Sequence, residues 1–379
     1  MSLRVCFVVD SGTDVRLADG LAARASLRIL ARRIPGGREI SQATAQPLQV
    51  EVGPAGHSRF AWFVVRRLLA LRSQIDVVIV QGYGPTAAFA NLAGRITGRS
   101  VLMLVCSPAE AYYRCRRLAG SRRPFRPLEY LAIRFFGAVN RRVGRGYIVL
   151  SSYLASVVRA RGTAKPIDVI PVYGVDREIF RPSSECKAAI RRRLGLPADG
   201  AIVFFSSRVA PEKDAEAILR ALKSLAAAGR PVHLLHLSGG HRELMDLAIS
   251  LGVDEHVIAR DAVGPFHELA DHYRAADVCV QASREEGLGF SPLEALACGI
   301  PVVATAVGGL NDTIREGDTG WQVPVGDADA LARAITDVLD QPGEAARRTA
   351  RGAREVDQAY EQRMVFDVLM ARLTREAQA

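Results

Sequence analysis

The sequence predicts an α/β protein built from two doubly wound, parallel-sheet domains. Three observations predict it. The chain has 379 residues, about twice the usual length of one domain. Its short apolar runs are Val- and Ile-rich and continuous rather than alternating, as in strands covered on both faces. Helical periodicities fall between those runs, and strand–helix alternation implies right-handed crossovers and parallel sheets.

A first series of strands is expected at 3–9, 76–80, 101–105, 146–150 and 167–170. A second is expected at 201–206, 232–237, 277–281 and 301–304. Helices are expected at Ala215–Ala228 and Ala328–Leu339, with a last one near 354–376. Pro and Gly punctuate the stretch Pro171-Val-Tyr-Gly-Val-Asp-Arg-Glu-Ile-Phe-Arg-Pro182, where the two series meet. The expected division is therefore 1–172, 173–353 and a C-terminal helix, 354–379. In such sheets, ligands bind beyond the carboxyl ends of the strands.

Composition narrows the function classes. At 49 % hydrophobic and 24 % charged, the chain looks globular. No apolar run approaches the roughly 18 residues that span a bilayer. The N-terminus enters a strand pattern directly at Leu3–Val9, without a signal-peptide pattern. The six cysteines are scattered and form no Cys-x-x-Cys pair, so they read as reduced core thiols of a cytoplasmic protein. His267 and His272 lie five apart, unlike the zinc-protease spacing, and no metal site is expected.

The net charge of +10 is uneven. Residues 1–175 hold 26 Lys and Arg against 9 Asp and Glu, and the remainder holds 24 against 31. From Arg114 to Arg145 there are ten arginines and one acidic residue, Glu129. Leu128, Leu131, Phe135 and Val139 recur there at helical spacing, with Arg134, Arg141 and Arg145 off that face. This pattern suits an anionic membrane surface. A solvated arginine face and polyanion binding are the other readings. No nucleic-acid module accompanies the segment, so no nucleic-acid partner is expected.

The chemistry-bearing stretch is Glu286-Gly-Leu-Gly-Phe-Ser-Pro-Leu-Glu294. It follows the strand Val278–Ala282. Gly287 and Gly289, around Leu288, let the backbone approach a ligand. Ser291-Pro292 is expected to open a helix, with Pro292 at its favoured first position, and the free N–H groups of that start suit a diphosphate. Glu286 is expected to hold a hexose through two hydroxyls, or else to be a solvated loop carboxylate. Glu294 is expected to bind a ligand or to close a capping box with Ser291. Arg208 and Lys213 follow the strand Ala201–Phe205 and can neutralise a departing diphosphate. Alternatively, they flank a helix capped by Asp214.

Together these residues resemble the retaining glycosyltransferases of family four. The likeness rests on Arg208–Lys213, on Ala262–Phe266 with Tyr273–Val278, on Glu286–Gly309 and on Val169–Pro182. It implies a GT-B fold, two Rossmann-like domains facing a cleft, with a nucleotide-sugar donor in the second. It implies that Glu286 contacts the sugar, Glu294 the ribose, Arg208 and Lys213 the diphosphate, and the backbone at Val263–Gly264 the base. Gly287, Leu288, Gly289 and Phe290 complete the donor loop. No bound metal is implied, and a UDP-sugar is expected ahead of a GDP-sugar.

The likeness has departures. Ser207 and Asp214 stand where small or Gly residues are usual. Gly12 is the one glycine of the Asp10–Asp14 loop, where many members have two. The place of a common catalytic His reads Cys106-Ser107-Pro108-Ala109-Glu110, and His57 is the one His of the N-terminal half. Ser107 or Glu110 is a candidate to face the sugar.

The expected activity is hexosyl transfer, with retention, to a lipid-linked or cell-envelope glycan. A small soluble acceptor, a noncatalytic sugar-nucleotide or polyanion binder, and a nucleotide-sugar epimerase are the alternatives. The expected location is cytoplasmic, at the inner face of a membrane.

Overall fold

The computed structural model of the protein describes residues 2–12, 15–34, 48–118, 127–264 and 266–378. Thirteen strands are named here in chain order. The first sheet holds β1 (Arg4–Val9), β2 (Ser26–Arg32), β3 (Gln49–Gly53), β4 (Val77–Gln81), β5 (Ser100–Val105), β6 (Gly146–Val149) and β7 (Ile167–Val169). The second holds β8 (Ala201–Phe205), β9 (Val232–Leu237), β10 (Val257–Arg260), β11 (Val278–Gln281), β12 (Val302–Thr305) and β13 (Trp321–Val323).

All pairings are parallel, in the orders β3-β2-β1-β4-β5-β6-β7 and β10-β9-β8-β11-β12-β13. Each order reverses beside its first strand, between β1 and β4 and between β8 and β11. Crevices for ligands open at such reversals, beyond the carboxyl ends of the strands.

Four strands lie outside the two expected series: β2, β3, β10 and β13. Their side chains explain why. β2 carries Arg28 and Arg32, and β3 carries Glu51. Arg28 reaches Glu51 at 2.9 Å, so the charges satisfy each other along the edge of the sheet. β13 has three residues, too few for a periodicity.

The chain forms two compact units. One comprises Met1–Glu110, Pro124–Gly174 and Gln362–Ala379; the other comprises Ala111–Arg123 and Val175–Glu361. The core of the second gathers Val203, Phe205, Leu222, Leu234, Val280 and Ile335 around its sheet. The expected last helix, 354–376, is broken. A helix Pro342–Glu355 passes through a π turn at Val356–Tyr360, Glu361 is extended, and a new helix runs Gln362–Gln378. That helix joins the first unit, burying Phe366, Leu369 and Leu373 and pairing Arg372 with Asp168 at 2.7 Å. The Phe366 ring lies where a side chain at residue 20 would be; Gly20 alone leaves it room.

The described cysteines are free: Cys6, Cys279 and Cys298 are buried, whereas Cys186 is exposed. Burial pushes the Cys6 thiol up to about 12. No helix among the described residues is long and apolar enough to cross a membrane, and no three or more His, Cys, Asp or Glu residues cluster there as a metal site.

Candidate donor site

The candidate site lies where the order of the second sheet reverses, in the loops after β8 and β11. The first loop carries Arg208 and ends in a 3-10 turn, Pro211–Lys213. The second carries Glu286 and leads into the helix Phe290–Ala297.

Lys213 and Glu286 meet directly: Lys213 Nζ donates to Glu286 Oε2. Glu286 is 7 % exposed, which excludes the solvated-loop reading. Its Oε2 also accepts from Gln281 Nε2 and from Ser283 Oγ, each at 3.2 Å. Gln281 in turn accepts from Ser207 Oγ at 3.0 Å, and Ser207 O faces His236 Nε2 at 3.1 Å. Thr305 Oγ1 donates to the Ser283 carbonyl at 2.6 Å. A buried polar chain thus fixes the carboxylate from below, as a buried charge requires. Burial holds the His236 imidazole below its ordinary value.

Asp214 explains why a small residue is usual after the lysine. It has φ +49°, the one non-glycine residue in the left-handed region among the described residues. It stands at the N-cap of the helix Ala215–Ala227, but its side chain caps nothing; it pairs with Arg284 at 2.8 Å.

The capping-box expectation for Glu294 fails. The N-cap of the Phe290–Ala297 helix is Gly289, at φ +90°, with no side-chain cap. Ser291 and Pro292 are its second and third residues, so Pro292 is not at the first position. The reason is Gly289 itself, whose left-handed turn starts the helix before Ser291. Glu294 is buried, and its Oε2 accepts from the Tyr273 hydroxyl at 2.9 Å. Ser206 lies 3.0 Å from that hydroxyl and donates to Ser291 at 2.9 Å. Burial, with the Glu294 charge beside it, drives the Tyr273 phenol well above its ordinary value.

The Gly287–Gly289 turn is pressed from beneath. Gly309 N donates to Glu286 O at 3.0 Å. A Cβ at Gly309 would stand 2.1 Å from Gly287 O, and one at Gly289 would stand 2.5 Å from Leu310. Leu288 is buried under this turn. Gly287 N–H donates to Glu286 Oε1 at 3.2 Å, and burial beside Glu286, Glu212 and Glu285 raises the Tyr112 phenol.

The remaining expected residues are looser. Arg208 is 68 % exposed, with Glu212 at 3.9 Å. Val263 is half-buried and Gly264 exposed, in the loop after β10. In the first unit, Gly12 is exposed, its carbonyl accepting from Gln81 at 3.3 Å. Glu110 pairs with Arg161 at 3.4 Å. His57 Nδ1 lies 3.1 Å from Asp10, which Arg32 and Thr86 hold at 2.7 and 2.6 Å. The helix Pro127–Val143 carries exposed Leu128, Leu131 and Phe135, whereas Arg145 lies beyond its end. Residues 119–126 of the basic Arg114–Arg145 stretch are outside the described residues, as is the Arg114 side chain.

Sequence reasoning did not single out Gln281, Ser283 or Tyr112, and it named Ser207 only as a departure from the family pattern. Tyr273 lay in a quoted motif without a role. The signal is weak in each: Ser207, Gln281 and Ser283 are polar residues at or just past strand ends, and the two tyrosines lie on helices.

Comparison with known proteins follows this geometry. Residues 187–356 match the family model of glycosyl transferases group 1. A D-inositol 3-phosphate glycosyltransferase of Saccharomonospora viridis is 38 % identical over 217 residues, 54 % of this chain and 49 % of that protein. A GDP-mannose-dependent alpha-(1-6)-phosphatidylinositol monomannoside mannosyltransferase of Mycolicibacterium smegmatis is 34 % identical over 226 residues, 56 % of this chain and 58 % of that protein. The matched part spans about half the length of these relatives. Among solved structures, HepE of Anabaena in complex with UDP and glucose matches with TM-score 0.79 at 18 % identity, covering 98 % of this chain and all of that one. Sucrose-phosphate synthase of Thermosynechococcus elongatus matches with TM-score 0.78 at 22 % identity, covering 98 % and 99 %. These likenesses show the GT-B fold.

Proposed function

Because residues 187–356 belong to the group 1 glycosyl transferases, we propose that the chain moves a hexosyl unit, with retention and without a metal, from a nucleotide sugar to an acceptor hydroxyl. The observation that carries this reading is the convergence of Lys213, Glu286 and the Gly289–Phe290 helix start at the reversal of the second sheet.

Each group then has a task. Glu286, with Gly287 N–H, takes hexose hydroxyls. Lys213, Arg208 and the helix start take the diphosphate, whose charge grows as the bond to the anomeric carbon breaks. Cations already in place favour that transition state over the bound donor. Glu294 takes the ribose, and Val263–Gly264 border the base. The acceptor oxygen bonds to the anomeric carbon on the face the diphosphate leaves, and its proton passes to a leaving phosphate oxygen.

For the nucleotide we propose UDP ahead of GDP, in line with the UDP bound by HepE; the mannosyltransferase named for GDP-mannose keeps the second base in view. For the acceptor we propose a lipid-linked or envelope glycan at the cytoplasmic face of a membrane, supported by the basic Arg114–Arg145 stretch. A small soluble acceptor is the second reading, favoured by the relative named for D-inositol 3-phosphate.

The test is a panel of UDP- and GDP-hexoses scored by thermal shift, since a ligand of the folded state raises stability with its affinity. One donor is expected to raise Tm in the wild type. Glu294→Ala is expected to lose the response to the free nucleoside diphosphate as well as to the sugar. Glu286→Ala is expected to keep the former. A wild-type protein indifferent to every donor overturns the reading.

A further inference from the structure

Eleven large apolar residues are exposed among the described residues, and six of them lie on three helices of the first unit. These helices are His57–Ala70, Pro85–Thr97 and Pro127–Val143. The first packs on the second and the second on the third. Trp62 and Phe89 rings, 6.2 Å apart, mark the first seam. Arg95, donating to the Val143 carbonyl at 3.1 Å, marks the other.

The exposed apolar residues interleave with arginines. On the first helix Arg59, Trp62 and Arg66 form one exposed stripe. On the second, exposed Arg95 sits between Leu92 and Ile96, and on the third Arg134 sits between Leu131 and Phe135. The three helices carry seven arginines against one acidic residue, Glu129. Beside Trp62 lies a groove of about 920 Å³ that Phe63, Pro54, Arg59 and Arg66 also line.

At a protein–protein interface charged residues are depleted from the core and the rim is polar. On this face the charged residues interleaved with the exposed apolar ones, Arg59, Arg66, Arg95 and Arg134, are all positive. Long arginine stems can lie along apolar surface with their heads at phosphate level. Basic amphipathic helices bind anionic bilayers in this way, and tryptophan favours the interfacial depth.

We infer that these three helices form a docking face for an anionic bilayer, with Trp62 as its aromatic anchor. The inference deepens the membrane reading of the acceptor half and rests on it. It extends that reading from the Arg114–Arg145 stretch to two further helices.

The chain has two tryptophans, and the other, Trp321, is 5 % exposed. Trp62 is therefore a built-in reporter. With vesicles of phosphatidylglycerol and phosphatidylcholine at low salt, Trp emission is expected to shift to the blue. With pure phosphatidylcholine no shift is expected. Trp62→Phe should abolish the shift, and Trp62→Ala with Leu92→Ala should weaken flotation at least fivefold. Arg59→Gln with Arg66→Gln should weaken it and flatten its salt dependence. Urea midpoints of these surface variants check that each is folded. A donor titration on the same proteins, without vesicles, should match the wild type.

If the wild type floats but the Trp62→Ala, Leu92→Ala protein floats equally well, the face is overturned and the Arg114–Arg145 stretch alone stands. If the wild type binds no anionic vesicle, both are overturned. Equal binding to neutral and anionic vesicles overturns the electrostatic half of the inference.

Discussion

Lys213 Nζ donates to Glu286 Oε2, so this cation and this carboxylate neutralise each other. A donor that uses both must part them, giving Lys213 a phosphate and Glu286 two hydroxyls.

Removing one member should therefore cost more than removing both. Lys213→Ala leaves a buried carboxylate held only by neutral donors, a loss of about 3 kcal/mol. Adding Glu286→Gln should recover at least about 1 kcal/mol of it. Urea unfolding of the two single variants and the double gives the coupling. Additive effects would rule out the pairing, and all three proteins should lack transfer.

Asp214 sets a backbone strain against an ion pair inside the loop. A side chain in the left-handed region costs about 1 kcal/mol. Asp214→Gly removes that cost but also loses the pair between the buried Asp214 carboxylate and half-exposed Arg284. Asp214→Ala loses the pair and keeps the strain. The glycine variant should be the more stable by about 1 kcal/mol in thermal or urea melts.

Gly309 predicts a lesion at a distance. Gly309→Ala drives a methyl into the Gly287 carbonyl, at a cost of about 1 to 3 kcal/mol. The Gly287–Gly289 turn is what can yield. Nucleotide-sugar affinity should fall at least tenfold while circular dichroism stays native; an unchanged affinity would show that the turn is not the donor's seat.

Three histidines set a pH dependence. Burial holds His233, His236 and His272 below the ordinary imidazole value. The unfolded chain takes up protons near pH 6.5, the folded one only lower. Their contribution is thus complete above about pH 6.5 and is lost as pH falls below it. The urea midpoint should drop between pH 7.5 and 5.5. His236→Asn, which can still donate to Ser207 O, should reduce that drop.

How much of this was legible depends on the span over which each role is fixed. The central strands β1, β4, β5, β8 and β11 are short apolar runs and were readable. β2 was not, because Arg28 and Arg32 break its pattern and are satisfied by Glu51 and by Asp10, far along the chain. In the site, Glu286, Arg208 and Lys213 were candidates from motif and turn chemistry; the structure brings Lys213 to Glu286 and leaves Arg208 exposed. That Lys213 sits on Glu286 was not readable: 73 residues separate them. The role assigned to Ser291 was misread for a local reason, since a glycine in the left-handed region took the cap two residues earlier.

The Gln362–Gln378 helix completes the first unit's packing from the far end of the sequence. Phe366 seated on Gly20 means that a core begun by the twentieth residue is closed by the three hundred and sixty-sixth. During synthesis the ribosome delivers all of β8 to β13 before that ring emerges. The second unit thus has every part of its sheet while the first still waits with an open apolar slot. Order of birth and order of completion are reversed, and a chaperone that shields this slot would act on the half of the protein made first.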